Sequence, residues 1–112
     1  MHEMKLQAKY YDYIINGTKR VELRVNDEKR QKIEIGDIIT FCKAPELKES
    51  FQVKVVELIN TNSFKELLKV LSVEEVADKE IIKEELLNIL EQFYSKEEQK
   101  QYGVVGIRFI LL

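Results

Sequence analysis

The sequence has one cysteine, one histidine and one proline. A lone cysteine closes no internal disulfide, so nothing calls for an oxidising compartment. One histidine with one cysteine also falls short of the usual His/Cys zinc set, and no metal or cofactor is implied. The four glycines, Gly17, Gly36, Gly103 and Gly106, form neither a phosphate-cradling loop nor a flexible linker. No apolar run approaches the ~18 residues of a membrane span. The opening Met1-His2-Glu3-Met4-Lys5 lacks the basic-then-apolar order of a signal peptide. No repeat recurs at the periods of solenoids or propellers. These absences point to a soluble, cytoplasmic protein with no membrane partner.

What is present is 112 residues, 45% hydrophobic and 34% charged. The apolar share is enough for one core, and the length suits a single domain over 1–112. Eighteen basic and twenty acidic residues leave a net charge of −2, which excludes a polybasic nucleic-acid-binding tail but not a local patch. The charge is uneven. Residues 19–32 carry Lys19, Arg20, Arg24, Lys29, Arg30 and Lys32 against Glu22, Asp27 and Glu28. Residues 74–98 carry nine acidic side chains against Lys79, Lys83 and Lys96. The first segment could hold phosphates or be an ordinary solvated surface. The second would repel nucleic acid, or meet a protein partner that nothing in the sequence specifies.

Periodicity predicts a helix over 8–16, stopped by Asn16-Gly17. Residues 20–25 alternate, with Val21, Leu23 and Val25 on one face and Arg20, Glu22 and Arg24 on the other, as in a half-buried strand. Residues 26–32 are all polar and read as a loop; Ile33 to Ile35 is short enough to be only a strand fragment. Gly36-Asp37 marks a turn into a buried strand over 38–42, which makes Cys42 an inert core thiol. Residues 44–50 read as a loop and 51–59 as a long strand. Asn62 or Ser63 can cap a short helix, and Ser72 with Glu75 suits a capping box. Ile82, Leu86, Ile89, Leu90 and Phe93 form an amphipathic helix over 79–93. Residues 95–101 suit a short exposed turn of helix. The final strand, 103–112, is apolar on nearly both faces and belongs inside a sheet. His2 is expected to be exposed at the terminus. Strands and helices do not alternate regularly. The order therefore predicts an α+β fold with a small mixed or antiparallel sheet, closed as a barrel with helices packed over it.

Gly17-Thr18-Lys19-Arg20-Val21-Glu22-Leu23-Arg24 reads G-x-K-x-x-E-x-R, which resembles the signature of the ASCH domain family. Asn26 to Arg30 with Ile35 to Phe41, and Tyr102 to Ile107, resemble that family's loop, its Gly-Asp strand and its closing strand. The resemblance implies a PUA-like β-barrel with flanking helices and a cleft lined by the signature. It also implies binding of RNA or a nucleotide. Some small bacterial members are amidohydrolases acting on N4-acetylcytidine, with a lysine and, three residues on, a threonine nucleophile. Lys19 matches the lysine, but Glu22 stands at the threonine position. Asp78 or Glu80 could match that branch's later carboxylate.

The ligand-binding candidates are thus Lys19, Arg20, Glu22, Arg24 and Arg30, with Lys19 and Glu22 as the catalytic pair if the protein is an enzyme. Burial would lower the pKa of Lys19 and fit it to act as a base; otherwise it is a lysine in a turn. Glu22 and Arg24 share one strand face. They either form a site, with Arg24 holding a phosphate or base edge and Glu22 accepting from an exocyclic amine, or brace the strand as an ion pair. Arg20 and Arg30 suit backbone phosphates. Tyr11 is expected in the core, while Tyr10 or Tyr13 could stack a base.

Overall fold

The computed structural model describes residues 2–77 and 81–112. Asp78 and Glu80 lie outside the described residues. The elements run β1 (His2–Leu6), α1 (Ala8–Ile15), β2 (Val21–Val25), a 3-10 turn (Arg30–Lys32), β3 (Ile38–Lys43), β4 (Ser50–Thr61), α2 (Phe64–Val70), α3 (Val73–Val76), α4 (Lys83–Phe93), α5 (Lys96–Tyr102) and β5 (Val104–Leu111).

The strands form one curled sheet in the order β1-β3-β4-β5-β2. β1 runs parallel to β3, and the other neighbours are antiparallel. Curvature has a local source in β4, where Val56 is an extra residue between Val55 and Glu57 opposite β5. Such a bulge bends its strand and increases the twist. The sheet curls into a half-barrel, and its edges β1 and β2 share no ladder. The expected α+β arrangement of a small mixed barrel with helices packed over it is what forms, as a half-barrel whose seam between β1 and β2 stays open.

Two apolar layers hold the sheet. Tyr11 and Ile14 of α1 pack with Phe41, Val53, Val55, Ile107 and Phe109 in one of them. Val21, Leu23 and Val25 pack with Phe64, Leu67, Leu71, Val76 and Leu86 in the other. β5, between β4 and β2, is buried on both faces from Val104 to Ile107, as expected of it. Gly106 has no room for a side chain there, since a Cβ would meet Leu71 Cδ1 at 3.1 Å. The last residues differ from expectation: Ile110, Leu111 and Leu112 run past the helices and are exposed.

Local chemistry sets the ends. Gly17 follows α1 at φ +87, a conformation that glycine adopts without a Cβ penalty. Ser63 Oγ accepts from the Glu66 amide, and Glu75 Oε2 accepts from both N and Oγ of Ser72. The residues after Ser95 make a full helix rather than a single turn, because Ser95 and Glu98 form a second capping box. β1 has no counterpart in the sequence reading. Its burial alternates only at Met4 and Leu6, too brief a pattern to register beside the terminus. His2 is correspondingly not free: its Nε2 lies 2.8 Å from Asp37 Oδ2. Residues 33–35 form no strand, although Ile33 is core. Ile82 and Phe93, expected in the core face of the long helix, are largely exposed, since Ile82 sits at its cap and Phe93 at its last turn. No helix among the described residues is long and apolar enough to cross a membrane.

Buried Gln99 joins α5 to α2. Its Oε1 accepts from the Phe64 amide at 3.0 Å, and its Nε2 donates to the Tyr94 carbonyl at 3.3 Å. Gln99→Leu leaves that amide buried and unpaired, so we expect a loss of about 1–3 kcal/mol in urea unfolding. An exposed control, Gln92→Leu, should change stability by less than about 0.5 kcal/mol.

Candidate functional site

β2 is paired on one side only. Its hydrogen-bonded partners on β5 are reached through residues 20, 22 and 24, as in the bond from the Phe109 amide to the Arg20 carbonyl. Strand alternation turns the Val21 carbonyl and the Leu23 amide to the open edge. Both are buried there and need partners. Signature side chains supply them. Lys19 Nζ donates to the Val21 carbonyl at 2.8 Å, and Glu22 Oε1 accepts from the Leu23 amide at 3.2 Å. Arg24 then crosses the seam, with Nη2 donating to the Lys5 carbonyl of β1 at 3.0 Å.

The same residues form a closed ionic triad. Glu22 Oε1 lies 3.1 Å from Lys19 Nζ, and Oε2 accepts from Arg24 Nε at 2.9 Å and Nη2 at 2.8 Å. Lys19 makes a third bond, 2.6 Å to the Val76 carbonyl at the end of α3. An ammonium has three protons, and each has an acceptor. A carboxylate has about four acceptor positions, and four donors reach Glu22. The Lys19 amine also lies 5.7 Å from the centre of the Tyr10 ring, within cation–π range.

The charges respond accordingly. Burial pushes the Lys19 pKa down, and Glu22 offsets part of that. Burial alone would raise the Glu22 carboxyl, but Lys19 and Arg24 outweigh it and hold the pKa at about 2. Burial opposes the Arg24 charge, yet Glu22 and Tyr94 keep its pKa above the ordinary value.

Over the triad lies a cleft of about 210 Å³. Lys19, Glu22 and Arg24 line it together, as do Lys5 and Gln7 from the β1–α1 junction. Tyr10, Phe93 and Tyr94 bring aromatic rings, and Leu86, Ile89 and Leu90 of α4 add apolar wall. The sequence reading placed Glu22 and Arg24 on the open face of a half-buried strand. Instead Glu22 is 6% exposed and Arg24 only part-exposed, because Lys19 and Arg24 close over the carboxylate.

Arg20 and Arg30 do not line this cleft. Arg20 is exposed just before β2, where its amide donates to the Glu75 carbonyl at 2.7 Å. Arg30 lies in the 3-10 turn with Nη1 3.4 Å from Asp27 Oδ2, and its buried Nε has no partner among the described residues. Of the six basic residues in 19–32, Lys19, Arg24 and Arg30 are thus engaged within the fold. Tyr11 is core as expected, and Cys42 is a buried free thiol. Phe93 and Tyr94 escaped the sequence reading as site residues.

Comparison with known proteins identifies the family and the fold. Residues 4–112 match the ASCH domain, and the chain belongs to that family. The crystal structure of the hypothetical protein PH0355 is similar, with 39% identity, a TM-score of 0.87, and coverage of 98% of this chain and 97% of that one. The solution structure of protein PF0455 from Pyrococcus furiosus shares 35% identity at a TM-score of 0.78, covering 99% and 96%. A variant of ZmASCH from Zymomonas mobilis has the same fold at 12% identity and a TM-score of 0.59, covering 96% of this chain and 66% of that one. No curated protein matches the sequence.

The triad makes stability depend on acid. Glu22 binds its proton near pH 2 when folded, against an ordinary 4.5. Its contribution is therefore complete above about pH 4.5 and is lost as pH falls toward 2. That window should carry on the order of 3 kcal/mol of unfolding free energy. We expect Glu22→Gln to destabilise the fold at pH 7 by about 3–5 kcal/mol and to flatten stability across that window. Urea midpoints measured from pH 2 to 6 check both.

Proposed function

We propose that this ASCH domain binds RNA or a nucleotide by holding one base in the cleft over Lys19, Glu22 and Arg24. The observation that carries the reading is a guanidinium held in place by Glu22 and Lys5 within an aromatic-walled cleft. A volume of about 210 Å³ lies below the roughly 300 Å³ at which sites for drug-sized ligands begin, and suits one flat ring system. Phe93, 57% exposed at the rim, offers a face for stacking. Arg24, Lys5 and Gln7 provide donors, whereas the acceptor positions of Glu22 are filled. The cleft thus favours a base edge or phosphate rich in acceptors. In this reading Glu22 is a positioning residue that orients Arg24 and Lys19.

The second reading is hydrolysis of N4-acetylcytidine-like nucleosides by Lys19 and Glu22. The lowered pKa of Lys19 favours it. Against it, every Lys19 proton is bonded, and no hydroxyl stands at position 22 to attack an acyl carbon. A base must have a free lone pair within reach of its proton, and this amine would first have to leave the triad.

Titration with pyrimidine and purine nucleotides and with short single-stranded RNA tests the proposal. Binding should weaken as salt rises, with a shallow slope because few phosphates are held. Phe93→Ala should weaken it by about 1–3 kcal/mol without harming the fold. N4-acetylcytidine should emerge unchanged from incubation. Failure to bind any of these ligands contradicts the proposal. Turnover that disappears in a folded Lys19→Ala variant establishes the hydrolase instead.

A further inference from the structure

A second groove, of about 510 Å³, lies on the other flank of α4, between α2 and α5. Lys65, Lys96 and Lys100 line it against a single carboxylate, Glu91. None of the three lysines has an ion-pair partner among the described residues. Lys100 stands in the last turn of α5, where the helix dipole favours a cation, but the other features of their placement work against the fold. Lys96 and Lys100 are four apart on α5, where like charges repel. Lys96 also stands in the first turn, at the positive end of the helix dipole. Lys65 of α2 adds a third cation to the same groove. The neighbouring acids are turned elsewhere: Glu98 to its capping box with Ser95, and Glu66 to the Asn62 amide. A bound polyanion would relieve this repulsion.

The two sites are separated only by α4. Leu86, Ile89, Leu90 and Phe93 face the cleft, while Leu87 and Glu91 face the groove. A helix with its side chains is about 10–12 Å across, so a few nucleotides span it. The ridge between is neutral in its second half, where Asn88 and Gln92 are exposed. Glu84 and Glu85 stand in the first turn, away from the crossing. Two of the three α4 carboxylates thus stand at its start, and the third, Glu91, is the one that lines the groove.

We propose that the α2–α4–α5 groove is a phosphate-holding subsite for a single RNA strand whose base occupies the cleft. It rests on the reading of the cleft as a base site and extends it from one base to a strand crossing the C-terminal half of α4. An acidic protein segment would meet the same lysines but would have no use for the aromatic cleft beside them.

The test compares a short labelled single-stranded RNA with cytidine monophosphate on the full chain, by anisotropy and calorimetry between about 50 and 200 mM salt. The variant is Lys65→Gln with Lys96→Gln and Lys100→Gln, all at exposed positions where neutral substitution leaves the fold intact. RNA affinity should fall roughly tenfold or more, and its salt slope should become shallower by about 2, at ~0.7 per phosphate released on single strands. Mononucleotide affinity should not change. Unchanged RNA affinity and slope in the triple variant overturn the groove and leave the cleft standing. RNA binding that the triple variant loses but Phe93→Ala does not affect upholds the groove and refutes the base-binding cleft. A wild-type chain that binds no RNA overturns the proposal.

Discussion

The fold depends on how a five-stranded sheet ends. The sheet curls until β1 and β2 approach, but no ladder joins them. Edge groups left in that position are buried without water, and each would cost about 1–3 kcal/mol unpaired. The Lys19, Glu22 and Arg24 side chains stand in for the missing strand. One satisfies the Val21 carbonyl, the next the Leu23 amide, and the third the Lys5 carbonyl across the gap. The spacing of the motif follows from this. Glu22 and Arg24 must be two apart to share a face, and Lys19 must come from the turn before the strand to reach back along its edge.

Buried ion pairs seldom add net stability over apolar packing, because removing charge from water is costly. Here they do something apolar side chains cannot, since only polar groups can satisfy an orphaned backbone edge. The same saturation shapes the chemistry. A lysine with every proton bonded and a carboxylate with every oxygen occupied make a rigid floor and a poor acid–base pair. What the floor can present is an oriented guanidinium, and the cleft above it supplies rings. The proposed binding of a base rests on that pairing of a prearranged donor with a stacking surface.

Much of this was legible in the sequence. Alternation located β2, β4 and β5, and capping residues located α2 and α3. The G-x-K-x-x-E-x-R motif pointed to the triad. What escaped had physical reasons. β1 is short and exposes every second residue, so its pattern does not rise above that of a loop. The burial of Glu22 could not be read from alternation, because charge predicts an exposed face unless a partner on another element is known. Lys19 reaches Val76, and Arg24 reaches Lys5, across separations that leave no trace in local periodicity. Phe93 was read as part of a helix core, and Tyr94 was given no role, because the position of the cleft was not known. The basic segment was visible, yet Arg20 and Arg30 lie apart from the site and half of its cations are engaged internally. The lysines of the second groove come from two helices and look like ordinary surface charge until α2 and α5 are brought together.

If Arg24 holds the seam, removing its guanidinium must loosen β1 before the rest of the sheet. Amide hydrogen exchange in Arg24→Met measures this directly, and the Lys19–Glu22 pair remains to keep the variant folded. Exchange across His2–Leu6 should accelerate by at least tenfold over the wild type, while amides of the β3–β4 ladder keep their protection. Unchanged protection in β1, or a uniform loss across every strand, would contradict the role of the triad as the clasp of the barrel.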